Sequence, residues 1–420
     1  MSLYSFLFSS AISLLAFRSF NIVLIWSVVS ENNSSVTLGA IIAIMWLFNL
    51  ISLPVAGELL DSKDKKNILI KNAILPIIAI IFFYINTTQL DNNIVISALC
   101  ASLLAACNSV TSSSINSMIP FIADKKSYTK SIGMATTFNS FQMIIGAILG
   151  GAFIALLGVH GAILTVASFY LIAFIFINTV TIRGTVSENQ DDNKEALFQR
   201  MLVGFKVLSK LPNEKHICYT AMITNFVVTP LLTVVIPFYV VEKLNAGANT
   251  LAMFESAFAA GMLIGATLSL KIQFNVFSRL LPVIIGNILI GSGILCFVIF
   301  ESTYLKILSL ALSGFGLSAK GIACNSIRAF AVPDKFRARL EGAIFFLCIL
   351  TIPLGSQLFG YLLSAPQAVS INTVIMIMGG IIILTSIVFI TSREVQSTLK
   401  KTNGDLEDLY TKKYPEAFSR

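Results

Sequence analysis

The chain has 420 residues, 56% of them hydrophobic and only 12% charged, with a formal net charge of +8. That balance excludes a water-soluble globular domain, because the polar residues are too few to cover so much apolar side chain, and it makes lipid the solvent. The basic excess calls for no nucleic-acid partner, since loops facing anionic headgroups can hold it.

Twelve apolar runs follow one another, at 5–29, 37–60, 68–86, 94–117, 132–157, 160–182, 216–241, 250–270, 280–300, 303–327, 341–363 and 369–392. Each is long enough to cross a hydrocarbon core of ~30 Å as a helix. The first lacks a preceding basic region and is too long for the apolar part of a cleavable signal, so it reads as a retained helix. Of the 29 Lys and Arg residues, 25 fall in or at the edge of alternate gaps and the C-terminal tail, while the opposite gaps hold only Lys243 and Lys306. By the positive-inside rule both termini are cytoplasmic. The expectation is an all-α, multi-pass protein of a bacterial inner membrane, with membrane lipid around it and the chain acting as a monomer.

The longest polar interruption, 183–215, divides the runs six and six. The domains expected are therefore a first six-helix bundle at 1–182, a linker at 183–215, a second bundle at 216–392 and a cytoplasmic tail at 393–420. Within the linker, Leu197, Met201, Leu202, Phe205 and Leu208 recur at helical spacing between basic residues. Such a helix suits the inner membrane surface, or a seat against cytoplasmic loops. The tail, with mixed charge and one aromatic cluster, reads as a solvated end. A shift of 209 residues superposes Asn116-Ser117 on Asn325-Ser326, Gly133 on Gly342, Gly146 on Gly355, Gly151 on Gly360, and Lys126 and Lys130 on Lys335 and Arg339. A duplicated six-helix unit implies two halves rocking about a midplane cavity.

The loop after the second run reads Gly57-Glu58-Leu59-Leu60-Asp61-Ser62-Lys63-Asp64-Lys65-Lys66, led in by Ser52-Leu53-Pro54-Val55-Ala56. A glycine, an acid four residues on and then a basic cluster resembles the signature loop of the major facilitator superfamily. Gly204-Phe205-Lys206-Val207-Leu208 before Leu211-Pro212, and Val332-Pro333-Asp334 through Arg337 and Arg339, resemble the drug- and siderophore-exporter branch, as in macrolide-efflux and enterobactin-exporter-like permeases. The resemblance implies the twelve-helix major facilitator fold in two six-helix bundles. It also implies a gating motif of Gly57, Asp61, Lys65 and Lys66, in which Asp61 meets the N-terminus of the eleventh helix. Ser62 departs from the arginine usual there. In the fifth run Gly133, Gln142, Gly146-Ala147 and Gly150-Gly151 resemble the helix-packing motif of antiporters, without its proline; small residues let helices approach closely. The fourth helix lacks the intramembrane arginine of many drug antiporters.

Three charges stand inside apolar runs, where each costs about 2.5–3.5 kcal/mol on insertion scales and usually faces a cavity or a partner. Arg18 lies mid-way in the first run with Asn21 one turn on, Glu255 lies in the eighth, and Lys320 in the tenth. Arg18 and Lys320 are expected to bind an anionic group of a cargo, and Glu255 to serve as cargo contact and proton-coupling group. Structural pairing of Glu255 with one base, and Lys320 reaching to the headgroups, is the plainer alternative. Gln142 and Asn225 are further cargo contacts. His160 and His216 are far apart and the six cysteines show no ligand spacing, so no metal, cofactor or catalytic residue is expected. Nor is there a nucleophile motif or a phosphate-binding loop, which argues against an enzyme and for energy drawn from a gradient. The expected function is secondary active export of a small amphipathic, anionic or zwitterionic, siderophore-like molecule by alternating access with proton antiport. A multidrug or macrolide efflux pump, or an importer of the same fold, is the alternative.

Overall fold

The computed structural model describes residues 2–32, 34–60, 65–90, 92–122, 128–181, 197–269, 278–364 and 369–418. Where no water reaches the backbone, a segment must satisfy its own N–H and C=O groups, and a lone apolar segment does so as a helix. The long helices are α1 (Ser2–Asn32), α2 (Ser35–Leu60), α3 (Lys65–Gln89), α4 (Ile94–Ile122) and α5 (Tyr128–Asn178). They continue as α7 (Pro212–Pro230), α9 (Ala248–Ser269), α10 (Leu280–Ile299), α11 (Thr303–Ala331), α12 (Asp334–Ser364) and α13 (Ile371–Thr391). Between them lie α6 (Leu197–Lys210) and α8 (Ile236–Glu242).

Among the described residues, eleven helical segments are long and apolar enough to cross a membrane, one of them running from α7 through α8. In α5 the backbone breaks at Gly158, whose φ of 70° and ψ of 177° are not helical, so the fifth and sixth runs are two arms of one element. The arms on either side of that break correspond to the fifth and sixth expected runs. Glycine fits there because it has no Cβ to oppose a positive φ. Pro237 in α8 has no N–H to continue the ladder, and the helix widens into a π turn at Leu231–Val235 just before it. Large apolar side chains such as Leu156, Val95, Phe82, Leu308 and Leu384 stand exposed along these helices. In an integral membrane protein lipid covers them.

The chain forms two compact units. The first contains Met1–Lys194 with Thr233–Ser256 and Ser356–Ser364; the second contains Glu195–Leu232, Ala257–Gly355 and Ala365–Arg420. The ends of the seventh and eleventh runs and the start of the eighth therefore belong to the unit built mainly from the first six.

Within the first unit these added segments seat on glycines. A Cβ on Gly151 of α5 would strike Ala252 and the Ala248 carbonyl of α9, and one on Gly360 of α12 would strike the Ser35 carbonyl and Gly39 of α2. Ser35 Oγ also donates to the Gly360 carbonyl at 2.8 Å. Gly151 and Gly360 are 209 residues apart, and so are Gly39 and Ala248. The internal duplication is thus repeated in these contacts. Both lie at the ends remote from the basic loops.

In the second unit the linker helix α6 takes the second of the two seats open to it, packing against a neighbouring helix through Gly204, Phe205, Val207 and Leu208 while Leu202 stays exposed. Gly204 sits against the Arg339 carbonyl and Ala343 of α12, Val207 and Leu208 join a buried cluster with Leu340 and Ile344, and Phe205 meets Phe346 edge-on at 5.9 Å. An amphipathic stripe fits either surface, and here a helix end supplies it. The tail, expected to be a solvated end, is corrected: its apolar side is docked while its other face stays exposed. It folds into α14 (Arg393–Leu399), α15 (Asn403–Leu406), α16 (Leu409–Lys413) and a 3-10 turn at Pro415–Ala417. Val395, Leu399, Leu406, Tyr410 and Ala417 are all buried in the same cluster as α6, α7, α11 and α12.

Candidate functional site

In the first unit Arg18 of α1 and Glu255 of α9 form an ion pair, Arg18 Nη2 donating to Glu255 Oε2. The carboxylate side chain is 1% exposed and the arginine 22%, so most of the hydration of the acid is gone and its partner supplies what remains. Room for the arginine stem comes from α5: a Cβ on Gly146 would collide with Arg18 Cβ and Cγ. The Gly146 carbonyl also accepts from Ser19 Oγ at 2.9 Å. The glycine that the sequence places in a helix-packing motif therefore makes the space in which the charge sits. Gly150 likewise abuts Ser19 and Ile22 of α1, while Gly151 faces α9. The glycines of the motif thus serve two neighbouring helices.

The pair is incompletely satisfied. Arg18 Nε, Glu255 Oε1, Asn21 Oδ1 and Ser256 Oγ are buried without a hydrogen-bond partner among the described residues. Such groups are rare in native interiors and ask for an explanation, commonly a ligand, water or a second conformation. A donor on Arg18 and an acceptor on Glu255 stand open in one pair.

Lys320 lies in the second unit and does not reach for the headgroups. Its Nζ is enclosed, donating to Thr224 Oγ1 of α7 at 3.0 Å and Asn287 Oδ1 of α10 at 2.6 Å, with the Phe389 ring of α13 5.5 Å away. The acceptors are fixed by their own bonds. Asn287 Nδ2 donates to the Ile382 carbonyl, Thr385 and Ser386, and Thr224 Oγ1 donates to the Thr220 carbonyl at 2.7 Å. The cage offers oxygen lone pairs rather than hydrogens, which suits an ammonium. Asn225, one residue on from Thr224, spends its amide on the Ala221 carbonyl of its own helix at 3.1 Å. Gln142 is half-buried in α5, one turn before Gly146.

The proposed gating loop is only partly visible. Asp61 lies outside the described residues, and so do the surroundings of Gly57 and Gly133 within α2 and α5. Lys65 begins α3 buried and Lys66 is exposed.

A second buried pair escaped the sequence reading. Glu214, in the first turn of α7, accepts from Arg328 Nε of α11 at 2.9 Å on one oxygen and from the Tyr410 hydroxyl at 2.9 Å on the other. Arg328 Nη1 goes on to Asn325 Oδ1 at 3.0 Å. Burial and the facing Glu214 carboxylate both push the Tyr410 phenol well above its usual range, because each disfavours a phenolate. Glu214 and Arg328 sit at the margins of apolar runs, where charges read as topogenic. Their signal was that both fall within a turn of an apolar stretch.

Helices that cross a membrane many times, with charges held in their interior, commonly belong to transporters. The family model described as Major Facilitator Superfamily matches residues 6–280. The chain belongs to the major facilitator superfamily and is a transporter rather than an enzyme. Among solved structures it is similar to the nucleoside transporter NupG, at 13% identity and a TM-score of 0.73, covering 96% of this chain and 100% of that one. It is similar also to a bacterial homolog of the human lysosomal transporter Spinster in an inward-facing, unoccupied conformation, at 13% identity and a TM-score of 0.70 over 99% and 98% of the two chains. A D-xylose-proton symporter matches at 13% identity and a TM-score of 0.69, covering 96% of this chain and 100% of that one. These likenesses establish the fold. No curated protein matches the sequence.

Proposed function

We propose that this chain is a proton-coupled exporter of a small amphipathic zwitterion, in which the Arg18–Glu255 pair is at once the lock on the ends remote from the basic loops and the point where proton and cargo compete. The observation that carries the reading is the incomplete pair itself. It joins α1 to α9 one turn from the Gly151–Ala252 contact, and it leaves Arg18 Nε and Glu255 Oε1 open.

The chemistry follows from what can part the pair. A proton on Glu255 removes the charge that holds Arg18, and a charge-assisted bond is roughly twice as strong as a neutral one. A cargo carrying an anionic group for Arg18 and a cationic group for Glu255 replaces each partner with another. Proton and cargo then exclude each other at Glu255, which is the condition for antiport. A cargo with an anionic group alone would bind beside a protonated Glu255 and travel with the proton. Antiport therefore selects the zwitterion, and siderophore-like metabolites with both groups are one such class. Asn21 and Gln142 on the same helices as Arg18 and Gly146 add polar contacts, whereas Lys320 is caged by Thr224 and Asn287 in the second unit. Export and the bacterial inner membrane are supported by the exporter-like motifs and the distribution of basic residues, and a monomeric working unit is proposed with them.

The experiment compares metabolites in medium and cytoplasm of cells carrying the wild-type chain, Glu255→Gln or no chain, with and without an uncoupler. A zwitterionic amphiphile should leave wild-type cells and accumulate in both others, and the uncoupler should abolish the difference. A wild-type difference that survives both Glu255→Gln and the uncoupler would overturn the proposal.

A further inference from the structure

The segment after α13 is tied to the basic-loop ends of the second unit at several independent points. Asn213 at the start of α7 donates to Thr398 Oγ1 of α14. Arg279, fully buried just before α10, receives the chain as it leaves α14: its N–H donates to the Leu399 carbonyl at 2.9 Å, Nη1 to the Lys401 carbonyl at 2.9 Å and Nη2 to Asn403 Oδ1. Its Nε donates to Ser326 Oγ of α11 at 2.8 Å, so one side chain joins tail and membrane helix. Lys210 Nζ at the end of α6 donates to the Glu416 carbonyl at 2.9 Å, and Phe418 meets Phe336 of α12 edge-on at 5.4 Å.

Tyr410, like Arg279 and Asn213, has no exposed surface. Its hydroxyl completes the Glu214 carboxylate that Arg328 half-satisfies. In the same buried cluster lie three native thiols, Cys218 of α7, Cys324 of α11 and Cys348 of α12. The helices of the tail are α14 with 7 residues, α15 with 4 and α16 with 5, all far too short to persist detached in water. Their order comes from docking, so docked-and-folded or released-and-unfolded is a two-state choice.

We infer that the C-terminal segment is a strap over the basic-loop ends of α7, α11 and α12, with Tyr410 as its catch, and that its release is a regulatory step that opens those ends to solvent. The strap holds the linker helix α6 and the starts of α7 and α10 in one grip, so anything that claims the tail frees all three together. This inference is independent of the cargo and of proton coupling.

The test needs no cargo, because the thiols report it. The purified full-length chain in nanodiscs is treated with N-ethylmaleimide, and labelling at each cysteine is followed by peptide mass spectrometry. Wild type is compared with Tyr410→Phe and with a chain ended after Lys400. Cys218 and Cys324 should label about tenfold faster in Tyr410→Phe and faster still in the shortened chain. Cys100 and Cys107, buried in α4 of the first unit, should stay at the wild-type rate. Wild-type rates at Cys218 and Cys324 in both variants overturn the strap. If shortening also exposes Cys100 and Cys107 the fold has been lost, and Tyr410→Phe alone decides.

Discussion

Removing Arg328 is the sharpest perturbation of the second unit, because its partner cannot follow it into water. Glu214 is 0% exposed and Arg328 7%, and Glu214 Oε2 takes its bond from Arg328 at 2.9 Å. In Arg328→Met the methionine fills the apolar part of the space, but the carboxylate keeps only the Tyr410 hydroxyl. Breaking a buried pair by taking one partner costs roughly 3–5 kcal/mol, mostly from the charge left behind. Tyr410→Phe should cost less, about 1–3 kcal/mol, since one hydrogen bond is lost and the salt bridge stays. The double variant Arg328→Met with Glu214→Gln removes the stranded charge and should recover most of the loss. Unfolding of detergent-purified protein in increasing sodium dodecyl sulfate, followed by circular dichroism, ranks the four chains. A single Arg328→Met as stable as wild type, or a double variant no better than the single, would refute the reasoning.

Further outcomes follow from the same contacts. Gly151→Leu and Gly360→Leu put a side chain against neighbouring backbone and should hold the far ends apart, read as faster maleimide labelling of a cysteine introduced at Ser35. Asn287→Leu removes the 2.6 Å acceptor of a buried ammonium and should lower stability by about 1–3 kcal/mol, while Asn287→Leu with Lys320→Met should be milder in the same unfolding assay. Alkaline pH tests the catch. The phenol of Tyr410 is held above its usual value, so the folded chain keeps a proton that the unfolded chain gives up, and the contribution is intact below about pH 10 and lost as pH rises further. Between pH 9 and pH 11, roughly spanning the ordinary tyrosine range, wild type should lose more stability than Tyr410→Phe.

The spans were legible because lipid imposes one rule on every residue of a run, and the structure follows the expected runs closely. Even the break between the fifth and sixth rests on a single glycine, Gly158, that the sequence displays. Individual intramembrane charges were legible for the same reason. Their partners were not: Arg18 and Glu255 lie 237 residues apart, and which of two bases faces the acid depends on how α9 seats against α5. The direction of Lys320 failed to show because a helix has several faces and only the positions of α10 and α13 select one. For α6, the apolar stripe was plain and the surface it meets was not, since lipid and Leu340 are equally apolar. The tail was misread because its apolar residues, Val395, Leu399, Leu406 and Tyr410, are spread over three short helices with no common period. Its signal lay elsewhere, in Arg279, Glu214 and Arg328, basic and acidic residues at helix ends that needed partners.

The most direct test of the central account is the distance between the far ends of α1 and α9 as Glu255 loses its charge. Spin labels at the exposed positions Ser30 and Asn245 report it by double electron–electron resonance, in nanodiscs from pH 8 down to pH 5. The account predicts that acid lengthens the distance in wild type, that Glu255→Gln shows the long distance at every pH, and that Glu214→Gln leaves the acid response in place. A wild-type distance indifferent to pH and identical in Glu255→Gln would contradict it.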